Sequence, residues 1–267
     1  MSLGRIVAIM LRQLYLMKGS FSRVLPLFVW IIVDMVLWGF LTRYLNTVAA
    51  SGFNFVPVLL GAVLLWDFFI RIMQGVTMAF FEDVWSRNFL NIFATPILVS
   101  EYVSGLVLSS IVTSFAGLMV MLFMASVFFN LSFFIYGLMI IPFILVLFLF
   151  GISLGIFGSA LVLRFGPAAE WLIWPIPALV SPFVGVLYPV AILPQWMQYI
   201  SLILPPSYVF EALRAILSGG AVSVALLFLS ASLAAGYCVL AYGFFVIVYK
   251  RALRTGLIAR YSAETIS

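Results

Sequence analysis

The chain has 267 residues, of which 66% are hydrophobic and only 8% charged, with a formal net charge of +5. A soluble domain carries roughly 25% charged residues, and a fold in water could not hide this much apolar surface, whereas lipid can, because it replaces water as the solvent of the outer faces. The absence of His and the single Cys238 exclude a His/Cys metal site and an internal disulfide.

Residues 3–18 (LGRIVAIMLRQLYLMK) are too short and too charged to span a bilayer. Ile6, Met10, Leu14 and Met17 recur at helical spacing while Arg5 and Arg12 stand on another face. This pattern predicts an amphipathic interface helix within residues 1–20. Apolar segments follow at 24–42, 56–80, 102–129, 133–163, 169–187 and 221–249. They read as six transmembrane helices, several of them longer than the ~20 residues a crossing needs, which tilt or extension into the headgroups would absorb. Pro142 and four glycines in the fourth predict a kink or close packing. The first long apolar run starts only near Leu25 and no small-residue cleavage site follows it, so no cleavable signal peptide is expected.

Residues 175–206 are apolar yet rich in proline, with Pro175, Pro177, Pro182, Pro189, Pro194, Pro205 and Pro206. Proline removes a backbone donor and kinks a helix. A re-entrant helical hairpin is therefore expected between the fifth and sixth spans, near 188–206, with a turn at Tyr188-Pro189 and a short helix around 194–204. Gly185, Tyr188, Pro189, Pro194, Pro205 and Pro206 would shape it. Glu211 and Arg214 are three apart on one helix face and can pair.

With the N-terminus inside, Arg5, Arg12, Lys18, Arg23, Arg87, Arg164, Lys250, Arg251, Arg254 and Arg260 all fall on the cytoplasmic side. Arg43 and Arg214 fall outside, and Arg71 within a span. The excess of inner Lys and Arg predicts cytoplasmic termini, with 250–267 as a short basic tail. The positive charge thus serves orientation, and no nucleic-acid partner is expected.

Chemistry-bearing motifs are scarce. No G-x-x-x-x-G-K-[ST] loop exists, so the chain alone cannot cradle ATP. It also lacks a zinc pattern, H-E-x-x-H and a haem pair, so no catalytic, cofactor-binding or metal-ligating residue is assigned. Three charges lie within spans: Asp34, and Asp67 and Arg71 four apart on a shared face where they can pair. They mark either a polar transport route or a neutralised structural pair.

The loop from Phe80 to Tyr102 is the most distinctive inner feature. Glu82 and Asp83 suit the first turn of a helix, Trp85, Phe89 and Phe93 recur at i, i+4 and i+8, and Pro96 ends the run. A short amphipathic helix near 82–95 follows, suited either to docking or to lying among headgroups.

Here the residues resemble a family. The loop E-D-x-W-S-R-N-x-L (Glu82 to Leu90), followed by Ala94-Thr-Pro-Ile97 and Glu101-Tyr102, resembles the coupling-helix region of ATP-binding-cassette type-2 exporter permeases. The stretches Ser181–Ile200 and Leu204–Arg214 resemble that family's fifth span and outer re-entrant helices. The likeness covers nearly the whole chain. It implies one all-α polytopic membrane domain over residues 1–267, with spans 1–4 in 24–163 and spans 5–6 in 169–249. It further implies the membrane half of an exporter in a bacterial or archaeal cytoplasmic membrane, joined to a second copy or close paralogue. Two separate ATPase subunits would hold ATP and Mg, and Glu82, Asp83, Trp85, Arg87, Asn88 and Phe89 would transmit their motion. A hydrophobic or amphipathic cargo suits the composition, whatever its identity. The competing classes are an ATP-independent transporter or channel using Asp34 and Asp67/Arg71, and a membrane scaffold. Against the former, the halves show no internal repeat.

Overall fold

The computed structural model describes residues 1–48, 54–86 and 88–256, and these are helical with no strand among them. Helix α1 (Leu3–Lys18) precedes α2 (Phe21–Val48). A π-helical turn, Val56–Leu60, runs straight into α3 (Gly61–Trp85), and a five-residue α4 (Phe89–Phe93) follows. Next come α5 (Val99–Phe129), a 3-10 turn at Phe133–Met139 and α6 (Ile140–Phe165). A second 3-10 turn, Pro167–Leu172, leads to α7 (Ile176–Val184); then come α8 (Gln195–Ile203), α9 (Pro205–Leu217) and α10 (Val224–Arg254).

Helix α3 is the axis of the bundle. It packs between α5 and α6; α2 lies on the outside of α5, and α10 on α6. Its apolar residues on nearly every side are buried, from Leu64 and Phe68 to Val76 and Phe80. In contrast α2 and α10 each show one wide apolar face, with Trp30, Leu37 and Phe40 on the first and Phe228, Val239 and Ile247 on the second exposed. Such faces are stable only against lipid or another apolar partner.

The α3–α6 contact is made close by glycine. A methyl group at Gly155 would stand 2.8 Å from Val76 Cβ and 2.9 Å from Met73 O, and one at Gly151 would stand 3.0 Å from Ile72 Cβ. Without side chains at these positions the two backbones approach more closely, and dispersion contacts accumulate. Close packing is thus what Gly151 and Gly155 provide. Pro142 sits in the first turn of α6, where its missing N–H disturbs no internal bond. The break in that segment lies earlier, at Gly137 with φ 56°.

The two ends of the bundle differ. At one end gather α1, α4 and the end of α10, with the Phe93 ring 4.8 Å from that of Tyr249 and 5.0 Å from that of Tyr102. The other end holds the turns at 56–60 and 133–139, joined by a hydrogen bond from Tyr136 Oη to Pro57 O at 2.6 Å, with α9 packed against both. Arg5, Arg12, Arg164, Lys250, Arg251 and Arg254 belong to the first end; Arg43 and Arg214 belong to the second.

Among the described residues, five helices are long and apolar enough to cross a bilayer, namely Phe28–Val48, Val56–Trp85, Val99–Phe129, Phe133–Phe165 and Val224–Arg254, and the bent pair Gln195–Ile203 and Pro205–Leu217 would make a sixth if taken as one span. The fifth segment expected at 169–187 departs from that pattern. It is a shorter apolar helix, Ala168–Val184, in which a 3-10 turn precedes the nine-residue α7. Gly166 at φ 95° and Pro167 open it, and Pro175, Pro177 and Pro182 interrupt its backbone ladder. Even so it joins the two ends: Ile173 packs near Gly158 and Thr77, whereas Val184 shares a core with Val209 and Phe210. At ~1.5 Å per residue, Ala168–Val184 covers about 26 Å, close to the ~30 Å of a hydrocarbon core.

The glycine seam is testable. Gly155→Val should lower the thermal midpoint of the purified protein clearly, by roughly 1–3 kcal/mol of overpacking. Gly243→Ala, where nothing lies within 4 Å of the added methyl, should leave it unchanged or raise it slightly. Equal behaviour of the two variants would remove the seam from the account.

Candidate functional site

The first site is an ion-paired platform. Its centre is Asp83, in the last turn of α3, whose side chain is wholly buried. A buried carboxylate needs charge and hydrogen-bond partners, and three residues supply them. The Arg12 guanidinium of α1 lies 2.6 Å from Oδ1. Gln13 Nε2 donates to the same oxygen at 3.2 Å and to Ala79 O at 3.1 Å. Tyr102 Oη of α5 donates to Oδ2 at 2.8 Å. The Asp83 carbonyl also accepts the Asn88 amide at 3.1 Å, which sets the entry to α4.

A second ion pair fastens the start of α1. Glu101 accepts Arg5 Nη1 at 3.3 Å, the Ser2 amide at 2.6 Å and the Leu98 amide at 3.0 Å, so it also closes the N-terminus of α5. Arg5 additionally donates to Pro96 O. Between the two pairs, α1 lies flush on α5 because Gly105 leaves room: a methyl group there would stand 2.6 Å from Ile9 Cβ and 3.1 Å from Ile6 O. The buried face of α1 is therefore Ile6, Ile9 and Gln13, rotated from the expected Ile6, Met10, Leu14 and Met17, of which the last three are half-buried. The apolar periodicity could not register that a buried acid on another helix would draw Gln13 and Arg12 inward.

The expected helix at 82–95 is divided in the structure. Glu82, Asp83 and Trp85 end α3, and the separate helix is only Phe89–Phe93. Phe89 is buried, its ring 5.6 Å from Phe80 and 6.1 Å from Tyr102. Asp83 and Phe89 thus hold the platform together from within. Trp85, about half exposed and 5.7 Å from the Phe81 ring, offers its indole outward, and Glu82 and Asn88 are half-buried. Arg87 lies outside the described residues.

The second site is a proline hinge at the opposite end, where α8 and α9 meet at 103°. In a continuous helix the amides of residues 205 and 206 would bond the carbonyls of 201 and 202, and Pro205 and Pro206 have none to give. Hydroxyls substitute: Ser207 Oγ donates to Ser201 O at 2.6 Å, and Tyr208 Oη to Leu202 O at 2.7 Å. From α10, Tyr237 Oη donates to Ile203 O at 3.1 Å and Ser230 Oγ to Pro205 O at 3.0 Å. A clasp fixes the preceding turn. Gly185 caps α7 at φ 68°, and Arg214 donates to its carbonyl. Glu211 takes Arg214 at 2.9 Å and the Val190 amide at 2.8 Å, which realises the expected pair. Tyr188 Oη donates to Pro182 O at 2.9 Å, Pro189 opens the turn at Val190–Ile192, and Pro194 precedes α8.

The third group is intramembrane. Asp34 on α2 and Asp67 and Arg71 on α3 lie within electrostatic reach of one another, all partly exposed. The Arg71 stem rests on Gly117 of α5, near Ile31 of α2.

Gly151-Ile152-Ser153-Leu154-Gly155 has the spacing of a hydrolase nucleophile elbow, but its setting is wrong. Ser153 is buried in mid-α6, its hydroxyl donates to Phe150 O at 2.7 Å, and the chain has no histidine to serve as base. Among the described residues no group of three or more His, Cys, Asp and Glu could hold a metal ion.

Apolar spans, a platform strapped by ion pairs and a hydroxyl-braced hinge define a multi-pass helical membrane protein. The chain belongs to the ABC-2 type transporter family, whose pattern it matches over residues 5–218, from α1 through α9. A comparison with curated proteins gives no significant match.

The two straps should differ in strength. Arg12→Ala leaves the Asp83 carboxylate buried without its counter-charge, and should cost on the order of 3 kcal/mol in a thermal melt. Arg5→Ala should cost far less, because Arg5 is 43% exposed and Glu101 keeps two backbone amides. A larger loss for Arg5→Ala would show that the platform is centred elsewhere.

Proposed function

We propose that this chain is the permease subunit of an ATP-driven exporter that moves a hydrophobic or amphipathic cargo out of the cytoplasm. The observation that carries this reading is the family match, which begins within α1 and ends just beyond α9. ATP and Mg would sit on two separate ATPase subunits, and a second copy of the chain or a close paralogue would complete the transport route. The setting is a bacterial or archaeal cytoplasmic membrane with both termini inside, because the basic residues gather at the α1 end.

The platform suits a transmission role. A push on α4 or on Trp85 acts directly on the end of α3, and through Asp83 and Glu101 on α1 and α5. Trp85 and Phe89 would be the apolar elements and Arg87 the salt-dependent contact, with Glu82, Asp83 and Asn88 in support. The Pro205/Pro206 hinge with its Glu211–Arg214 clasp would be the re-entrant hairpin at the exit, Ala168–Val184 the fifth crossing and α10 the sixth. Irregular backbone is stable at membrane depth only where its carbonyls are satisfied, and the hydroxyls of Ser207, Tyr208, Ser230 and Tyr237 meet that requirement.

Three measurements test the reading. Affinity purification of the full chain from its native membrane should bring down a P-loop ATPase, and Trp85→Ala should leave the permease inserted while uncoupling ATP hydrolysis from export; normal export by Trp85→Ala would refute the transmission role. In a Cys238→Ser background, cysteines placed near Pro194 should react slowly with an impermeant maleimide added from outside. Rapid labelling all along 190–206 would instead indicate an ordinary external loop.

A further inference from the structure

Helices α6 and α10 run side by side in the same direction, and three contacts set their register. The Phe150 ring lies 5.4 Å from that of Tyr237, Cys238 Sγ donates to Leu149 O at 3.0 Å, and the Phe157 ring lies 5.5 Å from that of Phe244. Phe157 follows Phe150, and Phe244 follows Tyr237, by seven residues, so the aromatic pairs recur on one seam every two turns. Two turns further on, the same seam reaches Arg164 on α6 and Arg251 on α10. Both are exposed, Lys250 and Arg254 flank them on α10, and the Arg164 guanidinium lies 5.2 Å from the centre of the Phe165 ring. Among the described residues no ion pair joins any of these four cations. Asp83 and Glu101 at this end hold Arg12 and Arg5 instead, and Glu170, in the turn after α6, pairs with none of the four. The helix dipole favours a cation in the last turn of each helix, and membrane orientation favours cations at this end. Neither effect requires two helices to bring theirs to one seam, where like charges repel.

The surface leading away from these cations is apolar and bare. Ile247, one turn before Arg251, and Leu240, two turns before Ile247, are both exposed. Between them Gly243 leaves a notch, with nothing within 4 Å of the place a side-chain carbon would take. Leu253 is exposed among the cations themselves. A cationic end continued by a notched apolar strip matches a ligand that is anionic at one end and carries long apolar chains, and basic residues just beyond a span stand at the depth of the headgroups. We propose that Arg164 and Arg251, with Lys250 and Arg254, bind the phosphate headgroup of an anionic phospholipid, one acyl chain of which lies along Leu240, Gly243 and Ile247. Arginine fits the task because its planar fork bonds two phosphate oxygens at once. The lipid belongs to the leaflet on the α1 side. That this leaflet is the inner one rests on the orientation proposed above; the binding does not.

The test titrates the full chain in detergent with dioleoyl phosphatidylglycerol and with dioleoyl phosphatidylcholine, which share their chains and differ in net charge, and counts bound lipids by native mass spectrometry. The wild type should retain the anionic lipid and release the zwitterionic one. Arg164→Gln and Arg251→Gln change exposed side chains and should fold. Each should weaken retention of the anionic lipid by roughly ten-fold, the usual loss when a charge-assisted hydrogen bond goes, and Arg251→Lys should restore only part of it. Lys18→Gln removes the same charge from an exposed position on α1 and should change nothing. Free glycerol phosphate at millimolar concentration should not displace the lipid. Equal retention of the two lipids, or an equal loss with Lys18→Gln, would overturn the site. Displacement by glycerol phosphate would show an anion site to which the chains add nothing, and would overturn the lipid assignment. So would a protein contact: Arg164→Gln shedding a co-purifying ATPase while keeping wild-type lipid retention. Failure to recover any ATPase would count against the export reading and leave the lipid result standing.

Discussion

A carboxylate buried at the end of α3 organises the half of the molecule that faces the basic residues. Asp83 cannot stay ionised in an apolar setting unless charge and donors are brought to it. They come from three directions: Arg12 and Gln13 from α1, Tyr102 from α5, and the Asn88 amide bonding its carbonyl at the entry to α4. Satisfying one acid therefore fixes where the N-terminal helix lies, how it is rotated and where the loop after α3 turns. The aromatic stack of Phe80, Phe89, Phe93, Tyr102 and Tyr249 then fills the space beneath, so that polar and apolar requirements select the same arrangement.

The far end answers the opposite difficulty, too few donors. Pro205 and Pro206 withdraw two amides just where the chain bends by 103°, and the freed carbonyls cannot turn to water if they lie at membrane depth. The serine and tyrosine that follow the prolines supply two replacements, and α10 supplies two more. That division of labour ties the hinge to the last long helix: the bend cannot open without breaking bonds to Ser230 and Tyr237. The Glu211–Arg214 clasp adds a second restraint, holding the Gly185–Val190 turn against α9.

Much of this was legible in the sequence, and the omissions have physical causes. Long apolar runs announce spans because lipid demands about 20 apolar residues, so α2, α3, α5, α6 and α10 stand close to their expected positions. The proline cluster announced a broken segment, and Glu211 and Arg214 a pair, because both signals are local. What escaped was long-range. Arg5 and Arg12 counted as topological charges, yet they lie against acids 96 and 71 positions away in sequence. Asp83 read as a first-turn acid of a new helix; it ends the old one, since nothing before Ser86 stops α3. The short fifth segment was drawn as an ordinary span because hydropathy is blind to the backbone ladder that Pro175, Pro177 and Pro182 interrupt.

The platform and the hinge are connected by one stiff element. Helix α3 carries Asp83 at one end and the Pro57 carbonyl that receives Tyr136 just before the other, and the glycine seam locks its middle to α6. A seam in which a single methyl group would clash leaves little room for α3 to slide along α6. Close-packed interiors respond to displacement by moving as units. On the export reading, a push delivered at Trp85 is then carried by α3 and α6 together, along a shaft that bears Asp67 and Arg71 at its midpoint and meets α9 at its far end. The intramembrane charges and the hinge share that shaft, so neither can be displaced by the platform without the other feeling the motion.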